Sequence, residues 1–265
     1  MLAFTIFAAY AAIGIALIRQ AQGGEATKTL PGWLAGLLVL TIGVHGAVFL
    51  SGVLLSPGTG LGLPDVLSVI AWLFAAIGLF AGMQSGFAVL AGIVLGLSAG
   101  LVALTLIVPA AGASPLTWQL KLHAILSLTA YSFLAAGALL AAASLIQDAQ
   151  LRAARVSKLS SVLPPLLATE QLLASLTTSG FIFLLMAVTS GFVFVDNLFA
   201  QHLAHKSVLS LGALVIFGML VVGRQAAGWR GRRMLHLYLT GFAVLVLAYF
   251  GSKLVLEVIL QRSWG

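Results

Sequence analysis

Eight apolar runs divide this chain, and each is long enough to cross a lipid bilayer. A transmembrane helix needs roughly 17–25 predominantly apolar residues, because the hydrocarbon core is about 30 Å thick. Only 7% of the residues are charged, whereas a soluble domain carries about 25%. The sequence therefore predicts an all-α, polytopic integral membrane protein that forms one transmembrane domain over residues 1–265. Its eight transmembrane helices are expected near residues 2–18, 34–55, 65–82, 85–108, 120–146, 176–195, 207–223 and 234–258.

The basic residues are unevenly distributed among the connections between these runs. By the positive-inside rule, connections rich in lysine and arginine face the cytoplasm. Both termini are therefore expected outside, on the periplasmic side of a bacterial inner membrane, and an even number of helices agrees with this because it requires both termini on the same side. We interpret the net charge of +7 as a topology signal and expect no nucleic-acid partner. Nine of the 13 basic residues lie in alternate connections, namely Arg19, Lys28, Arg152, Arg155, Lys158, Arg224, Arg230, Arg232 and Arg233.

Several kinds of chemistry have no motif in the sequence. There is no cysteine, which excludes disulfides, thiolate metal sites and iron–sulfur clusters carried by this chain. There is no glycine-rich phosphate loop, no His-Glu-x-x-His and no serine hydrolase elbow. No pair of intramembrane carboxylates suggests a proton-coupled transporter. We therefore expect a binding function and no enzymatic activity.

Two segments are expected to have structural roles. Residues 147–175 form the longest polar connection, and the stretch QDAQLRAARVSKLSSVL favours an interfacial amphipathic helix ended by Pro164 and Pro165, or else a plain cytoplasmic loop. In the fourth run, three glycines at four-residue spacing predict a smooth ridge for close helix packing. These glycines are Gly92, Gly96 and Gly100.

Four acidic or basic residues near the ends of the runs also have structural interpretations. Lys253 and Glu257 have the i, i+4 spacing of a stabilising ion pair. Asp65 and Asp196 flank predicted helices and are interpreted as capping or boundary residues.

The stretch KLHAILSLTAYS places a histidine and several hydroxyl groups at the outer end of the fifth run. At 100° per residue, Ser127 and Tyr131 follow His123 along one slowly drifting face of a helix. Ionisable residues at membrane depth are candidates for function. A neutral imidazole at His123 could bind a metal or haem iron, or could form a hydrogen bond to a neighbouring helix.

The other four histidines differ in depth. His45 lies midway along the second run, where it either bonds across helices or ligates a group. His202 and His205 precede the seventh run on the outer side, and their i, i+3 spacing puts both on one face if the segment is helical. The alternative is a solvated loop pair. His236 begins the eighth run and is expected at the cytoplasmic interface.

Four stretches carry a resemblance to a known family. They are HAILSLTAYSFLAAGALL (123–140), PPLLATEQLLASLTTSGFIFLLMAVTSGF (164–192), HKSVLSLGALVIFGMLVVGRQAAGWRGRR (205–233) and LTGFAVLVLAYFGSKLV (239–255). Together they resemble the cytochrome c assembly protein superfamily, the haem-handling membrane proteins that include CcsA and CcmC. Within it, the chain is most similar to the YpjD- and HemX-like branch of inner-membrane proteins.

This resemblance implies haem as the cofactor, since external haem in the family is ligated by histidines at the outer face. His123 falls on one of those positions. The candidate haem-binding residues are therefore His123, His205, His45, Ser127 and Tyr131, with His123 as the iron ligand. The implied partners are membrane lipid, haem, and proteins of cytochrome c maturation or haem synthesis.

Three functional hypotheses follow. The first is a membrane protein that binds and presents haem at the outer face for cytochrome c assembly or haem homeostasis. The second is a HemX-like regulatory or scaffold protein without haem ligation, because residues 191–206 contain no tryptophan where the family carries a tryptophan-rich segment. The third is a small-solute transporter, which the number of helices permits.

Overall fold

The computed structural model describes residues 1–25, 29–56, 59–108, 115–153, 164–194 and 204–248. These residues contain α-helices and short helical turns but no strand. In the same part of the chain, seven helical segments are long and apolar enough to cross a membrane. The predicted all-α polytopic architecture is therefore confirmed, while the orientation of the termini stays a prediction. The helices are α1 (Leu2–Gln20), α2 (Gly32–Phe49), α3 (Leu63–Gly82), α4 (Ala88–Ile107), α5 (Trp118–Arg152), α6 (Leu166–Phe194), α7 (Ala204–Ala227) and α8 (Arg232–Val246).

The contacts between residues divide the chain into two compact units. The first comprises Met1–Lys121 and Ile146–Thr169, and the second comprises Leu122–Leu145 and Glu170–Gly265. In the first unit, α4 packs against both α1 and α3. In the second unit, α7 packs against α8. The prediction of one domain over the whole chain stays a prediction.

The glycine ridge predicted on α4 is used for close packing at Gly92. A Cβ atom added at Gly92 would lie 2.8 Å from the carbonyl oxygen of Gly14 and 2.6 Å from Cγ1 of Ile18, both on α1. A Cβ atom at Gly96 or Gly100 would meet nothing within 4 Å. The backbone of Gly96 is nevertheless close to α1, because a Cβ atom added at Gly14 would lie 3.4 Å from its nitrogen. The prediction is therefore wrong for Gly100, because crossing helices come closest over only a turn or two.

Among the described residues, most of the connection expected over residues 147–175 is helical, so the predicted end of the fifth span and the predicted start of the sixth were wrong. α5 continues to Arg152, and α6 begins at Leu166. The pair Pro164–Pro165 precedes α6, where proline's missing N–H group costs nothing because the first turn has no intrahelical acceptor for it. The hydroxyl of Thr169 donates to the Pro165 carbonyl at 3.1 Å. Polar residues thus extend both helices beyond their apolar runs, and residues 154–163 of the predicted interfacial helix lie outside the described residues.

Two charged side chains stabilise helix starts in the first unit. The carboxylate of Asp65 accepts the backbone N–H of Gly62 at 2.9 Å, which confirms its capping role at α3. The buried Lys121 ammonium donates to the hydroxyl of Thr59 at 2.9 Å and to the carbonyl of Ser56 at 3.4 Å. The predicted roles of Asp196, Lys253 and Glu257 lie outside the described residues.

Candidate functional site

His123 lies in the second turn of α5 and is held by α6. Its Nδ1 atom is 3.0 Å from the carbonyl oxygen of Ala187 and 3.0 Å from the hydroxyl oxygen of Ser190. The Ser190 hydroxyl in turn donates to the Ala187 carbonyl at 2.8 Å. A carbonyl oxygen only accepts, so Nδ1 must carry the proton of the neutral ring. The lone pair of the imidazole is therefore on Nε2.

His123 lines a cavity. Among the described residues, its Nε2 atom has no hydrogen-bond partner. Every fully buried side-chain nitrogen or oxygen in that part of the chain has such a partner. Nε2 is consequently not fully buried. Gly191 leaves room for the ring, because a Cβ atom there would lie 3.1 Å from Cε1 of His123. The imidazole is thus fixed in position and tautomer with one nitrogen available, as metal-ligating histidines are.

Ser127 and Tyr131 line the same cavity as His123. The hydroxyl of Ser127 donates to the His123 carbonyl at 2.8 Å, and that of Tyr131 donates to the carbonyl of Leu245 at 3.0 Å. The structure therefore brings the predicted polar stripe together at one site. The tyrosine bond also connects α5 to the end of α8.

The cavity has a volume of about 220 Å³ and is lined by both polar and apolar side chains. Lys206 provides a cationic side chain at the start of α7, beside the hydroxyl groups of Ser207 and Ser210. Apolar contact comes from Leu184 and Val188 of α6, among others. Such a combination of apolar surface with a few convergent polar groups is typical of small-molecule sites.

His45 lies in the first unit and does not line this cavity. Its Nδ1 atom is 3.1 Å from the hydroxyl oxygen of Tyr10, and its Nε2 atom is 2.8 Å from that of Ser68. Both ring nitrogens are therefore used in bonds that join α2 to α1 and α3. Cross-helix bonding, one of the two alternatives for this residue, is what the structure shows.

The Tyr10–His45 bond should stabilise the first unit. Replacing Tyr10 by phenylalanine would leave a buried imidazole nitrogen without its partner, at a cost of roughly 1–3 kcal/mol. We expect a lower melting temperature of the detergent-solubilised protein. Ser51→Ala is the control, because the exposed Ser51 hydroxyl bonds only to carbonyls of nearby residues. Equal melting temperatures for the two variants would contradict a stabilising role.

The remaining histidines have different positions. The backbone of His205 belongs to the first turn of α7, while its side chain lies outside the described residues. His205 as a haem-binding residue thus stays a prediction, although its neighbour Lys206 lines the cavity. His202 also lies outside the described residues, and His236 is exposed on α8.

Sequence reasoning missed the residues that hold and surround His123. Ala187 contributes only its backbone carbonyl and Ser190 is an ordinary helical serine, so neither carries a recognisable motif. Gly191 near the end of α6 and Lys206 near the start of α7 flank the segment that connects these helices, and their positions beside that segment were the available sequence signal. Within the described ranges, no group of three or more histidine, aspartate or glutamate side chains could hold a metal ion.

Comparisons with known proteins agree with this architecture. The family described as "Cytochrome C assembly protein" matches residues 61–260. "Inner membrane protein YpjD" of Escherichia coli (strain K12) is 34% identical over 137 residues, which cover 52% of this chain and 52% of that protein. An uncharacterized 28.8 kDa protein of Azospirillum brasilense is 28% identical over 151 residues, or 56% of this chain and 55% of that protein. No solved structure matches.

The matched regions show both the cellular location of this chain and the family to which it belongs. The chain spans about half the length of the curated relatives it matches. The membrane-spanning helices of the described residues and the inner-membrane relative confirm a multi-pass protein of the bacterial inner membrane. The family match covers most of the chain, including every residue that lines the cavity around His123. The chain therefore belongs to the cytochrome c assembly protein family.

Proposed function

We propose that this chain binds haem at the outer face of the inner membrane and presents it for cytochrome c assembly or haem homeostasis. The function is binding and presentation, without turnover. Family membership supports the general role, and the environment of His123 supports the specific one. The outer location follows from the positive-inside rule.

The single observation that carries this proposal is the state of the His123 ring. Nδ1 is fixed by Ala187 and Ser190, and Nε2 has no partner among the described residues. Histidine is a common axial ligand of haem iron, and a hydrogen bond to its second nitrogen orients the ring and makes it a better donor. His123 therefore fits the role of an axial ligand.

The other cavity residues fit the remaining parts of such a ligand. When bound, haem would supply an iron centre and a large apolar ring with two carboxylates. Leu184 and Val188 would contact the apolar ring, and the Lys206 ammonium would attract a carboxylate. The volume of about 220 Å³ is smaller than the ~300–1,000 Å³ of pockets that enclose a drug-sized ligand. The residues that line this cavity would thus enclose only part of the haem.

An absorption spectrum tests the proposal directly. Protein purified from native membranes under haem-replete conditions should show a Soret band. A preparation without this absorbance, from cells shown to contain haem, would exclude haem binding as the function of the site.

Ser190 should tune the affinity of the site through His123. Groups that hydrogen-bond to the second nitrogen of a metal-ligating histidine typically contribute 10- to 100-fold in affinity. Because the Ala187 carbonyl would still accept from Nδ1, we expect Ser190→Ala to weaken haem binding by about tenfold, the lower end of that range. Haem titration followed in the Soret region measures the change.

The matched control for this prediction is Ser132→Ala. Ser132 is also a buried helical serine, but its hydroxyl donates to the Leu128 carbonyl of its own helix and does not touch His123. Equal affinities for the two variants would show that Ser190 does not act through the imidazole.

A HemX-like regulatory or scaffold role is the second candidate. It is favoured by one observation: among the described residues, no second histidine lines the His123 cavity. In this role the basic connections at Arg152–Lys158 and Arg224–Arg233 would contact a cytoplasmic protein of haem synthesis. Cross-linking from these connections should then capture that protein. Alanine substitutions there that leave both the capture and the phenotype intact would contradict this candidate.

A further inference from the structure

A second cavity lies in the same unit, at the end of α7 opposite to His205. Its volume is about 210 Å³, far more than the roughly 10–15 Å³ that one water molecule needs. Thr177 and Thr178 of α6 line it together with Arg224 and Gln225 of α7. The proposed haem site uses none of these residues.

Three polar side chains that line this cavity have no partner within the described part of the chain. Among the described residues, the Arg224 guanidinium, the Gln225 amide and the Thr178 hydroxyl form no hydrogen bond or ion pair. The adjacent Thr177 differs, because its hydroxyl donates to the Leu173 carbonyl at 2.5 Å. The Arg224 and Thr178 side chains are half-buried and Gln225 is exposed. Their donor groups therefore remain available to an external acceptor.

The charge around the cavity favours an anion. Arg230 in the connection between α7 and α8 and Arg233 in the first turn of α8 add basic charge close to Arg224 in the sequence, although neither lines the cavity. Met234, which also lines the cavity, belongs to the first turn of α8, where the helix dipole adds partial positive charge. The acidic residue on this face of α6 is Glu170, one turn before Ala174, and it forms no ion pair with Arg224. The guanidinium is therefore not neutralised by that carboxylate.

We propose that this cavity binds a phosphate-bearing anion, with Arg224 as the main contact. A guanidinium presents parallel N–H donors that match the oxygens of a phosphate group. The Thr178 hydroxyl and Gln225 amide add donors for the remaining oxygens. Arg224 stands three residues before the end of a segment that is long and apolar enough to cross a membrane, and the ends of such segments lie close to lipid headgroups. The headgroup of an anionic phospholipid and a free phosphate ion share this chemistry, and the experiment separates them.

The test compares three ligands on the full-length purified protein in detergent. Phosphatidylglycerol supplies the phosphate on a lipid, diacylglycerol supplies the same lipid without phosphate, and inorganic phosphate supplies the ion alone. We expect Arg224→Gln to weaken phosphatidylglycerol binding by about tenfold or more. Diacylglycerol binding should not depend on residue 224. If inorganic phosphate also binds in an Arg224-dependent manner, the ligand is the free ion; if it does not, the ligand is the lipid headgroup.

Two further variants keep the result interpretable. Arg230→Gln removes an exposed charge from the same connection without touching the cavity, and it should change affinity less than twofold. Thr178→Val removes one donor at nearly constant volume and should weaken binding severalfold, which decides the matter if Arg224→Gln does not fold. Equal losses for Arg224→Gln and Arg230→Gln would overturn the proposal, because Arg224 would then act only as a general cytoplasmic charge. Unchanged binding by Thr178→Val would overturn it as well.

Discussion

Replacing His123 by alanine should abolish the Soret absorbance of the purified protein or reduce haem occupancy by about tenfold or more. The reason is that His123 lines the cavity and its Nε2 atom has no partner among the described residues, while Nδ1 is held by Ala187 and Ser190. Alanine removes the nitrogen donor and leaves the apolar wall. Absorption spectra of variant and parent protein, prepared side by side at equal protein concentration, measure the effect.

Two controls separate loss of the ligand from loss of the fold. His236→Ala removes an exposed histidine of α8 that does not line the cavity, and it should leave the Soret band unchanged. Added imidazole should restore part of the absorbance of His123→Ala, because it can occupy the space left by the side chain. An unchanged Soret band in His123→Ala would rule out His123 as the ligand. The variant His205→Ala would then be the next candidate to measure.

Adding a single methyl group at Gly92 should destabilise the first unit by roughly 1–3 kcal/mol. A Cβ atom at this position would lie 2.8 Å from the Gly14 carbonyl oxygen and 2.6 Å from Ile18 Cγ1. The oxygen belongs to the backbone of α1, so it cannot rotate away as a side chain can, and the two helices would have to separate. The melting temperature of Gly92→Ala in detergent, monitored by helical circular dichroism, should fall.

Gly96→Ala is the matched control for this change. The residue lies one turn further along α4, and a Cβ atom there would meet nothing within 4 Å. We expect an unchanged or slightly higher melting temperature, because alanine is favoured over glycine in helices by about 0.8–1 kcal/mol. Similar losses for the two variants would mean that α4 packs along a continuous glycine ridge, contrary to the structure.

The membrane-spanning parts of the helices could be predicted from the hydropathy of the sequence. Apolar runs of bilayer length mark spans because an unpaired backbone group in lipid is costly, and this signal is local. Hydropathy did not predict where the helices end outside the bilayer. The helices α5 and α6 continue past their apolar runs, to Arg152 and from Leu166, because a helix outside the bilayer does not need a continuous apolar surface.

The candidate site could be predicted only in part. The spacing of His123, Ser127 and Tyr131 placed them on one face, since a single helix fixes that relation. The residues that give His123 its tautomer could not be found in this way. Ala187 and Ser190 are 64 and 67 residues away in the sequence, and one of them contributes only a carbonyl group. Similarly, the sequence around His45 was compatible both with a hydrogen bond across helices and with ligation of a group. The structure shows the hydrogen bonds, to the hydroxyls of Tyr10 and Ser68.

The sequence by itself determined the class of protein, the positions of most spans and the polar face of α5. These properties depend on composition and on helical periodicity within one segment. The tertiary structure alone decided which groups meet across helices, as at His123 with Ser190 and at Gly92 with Gly14. Such contacts depend on the rotation of each helix about its axis and on where two helices cross, and no local pattern encodes either quantity.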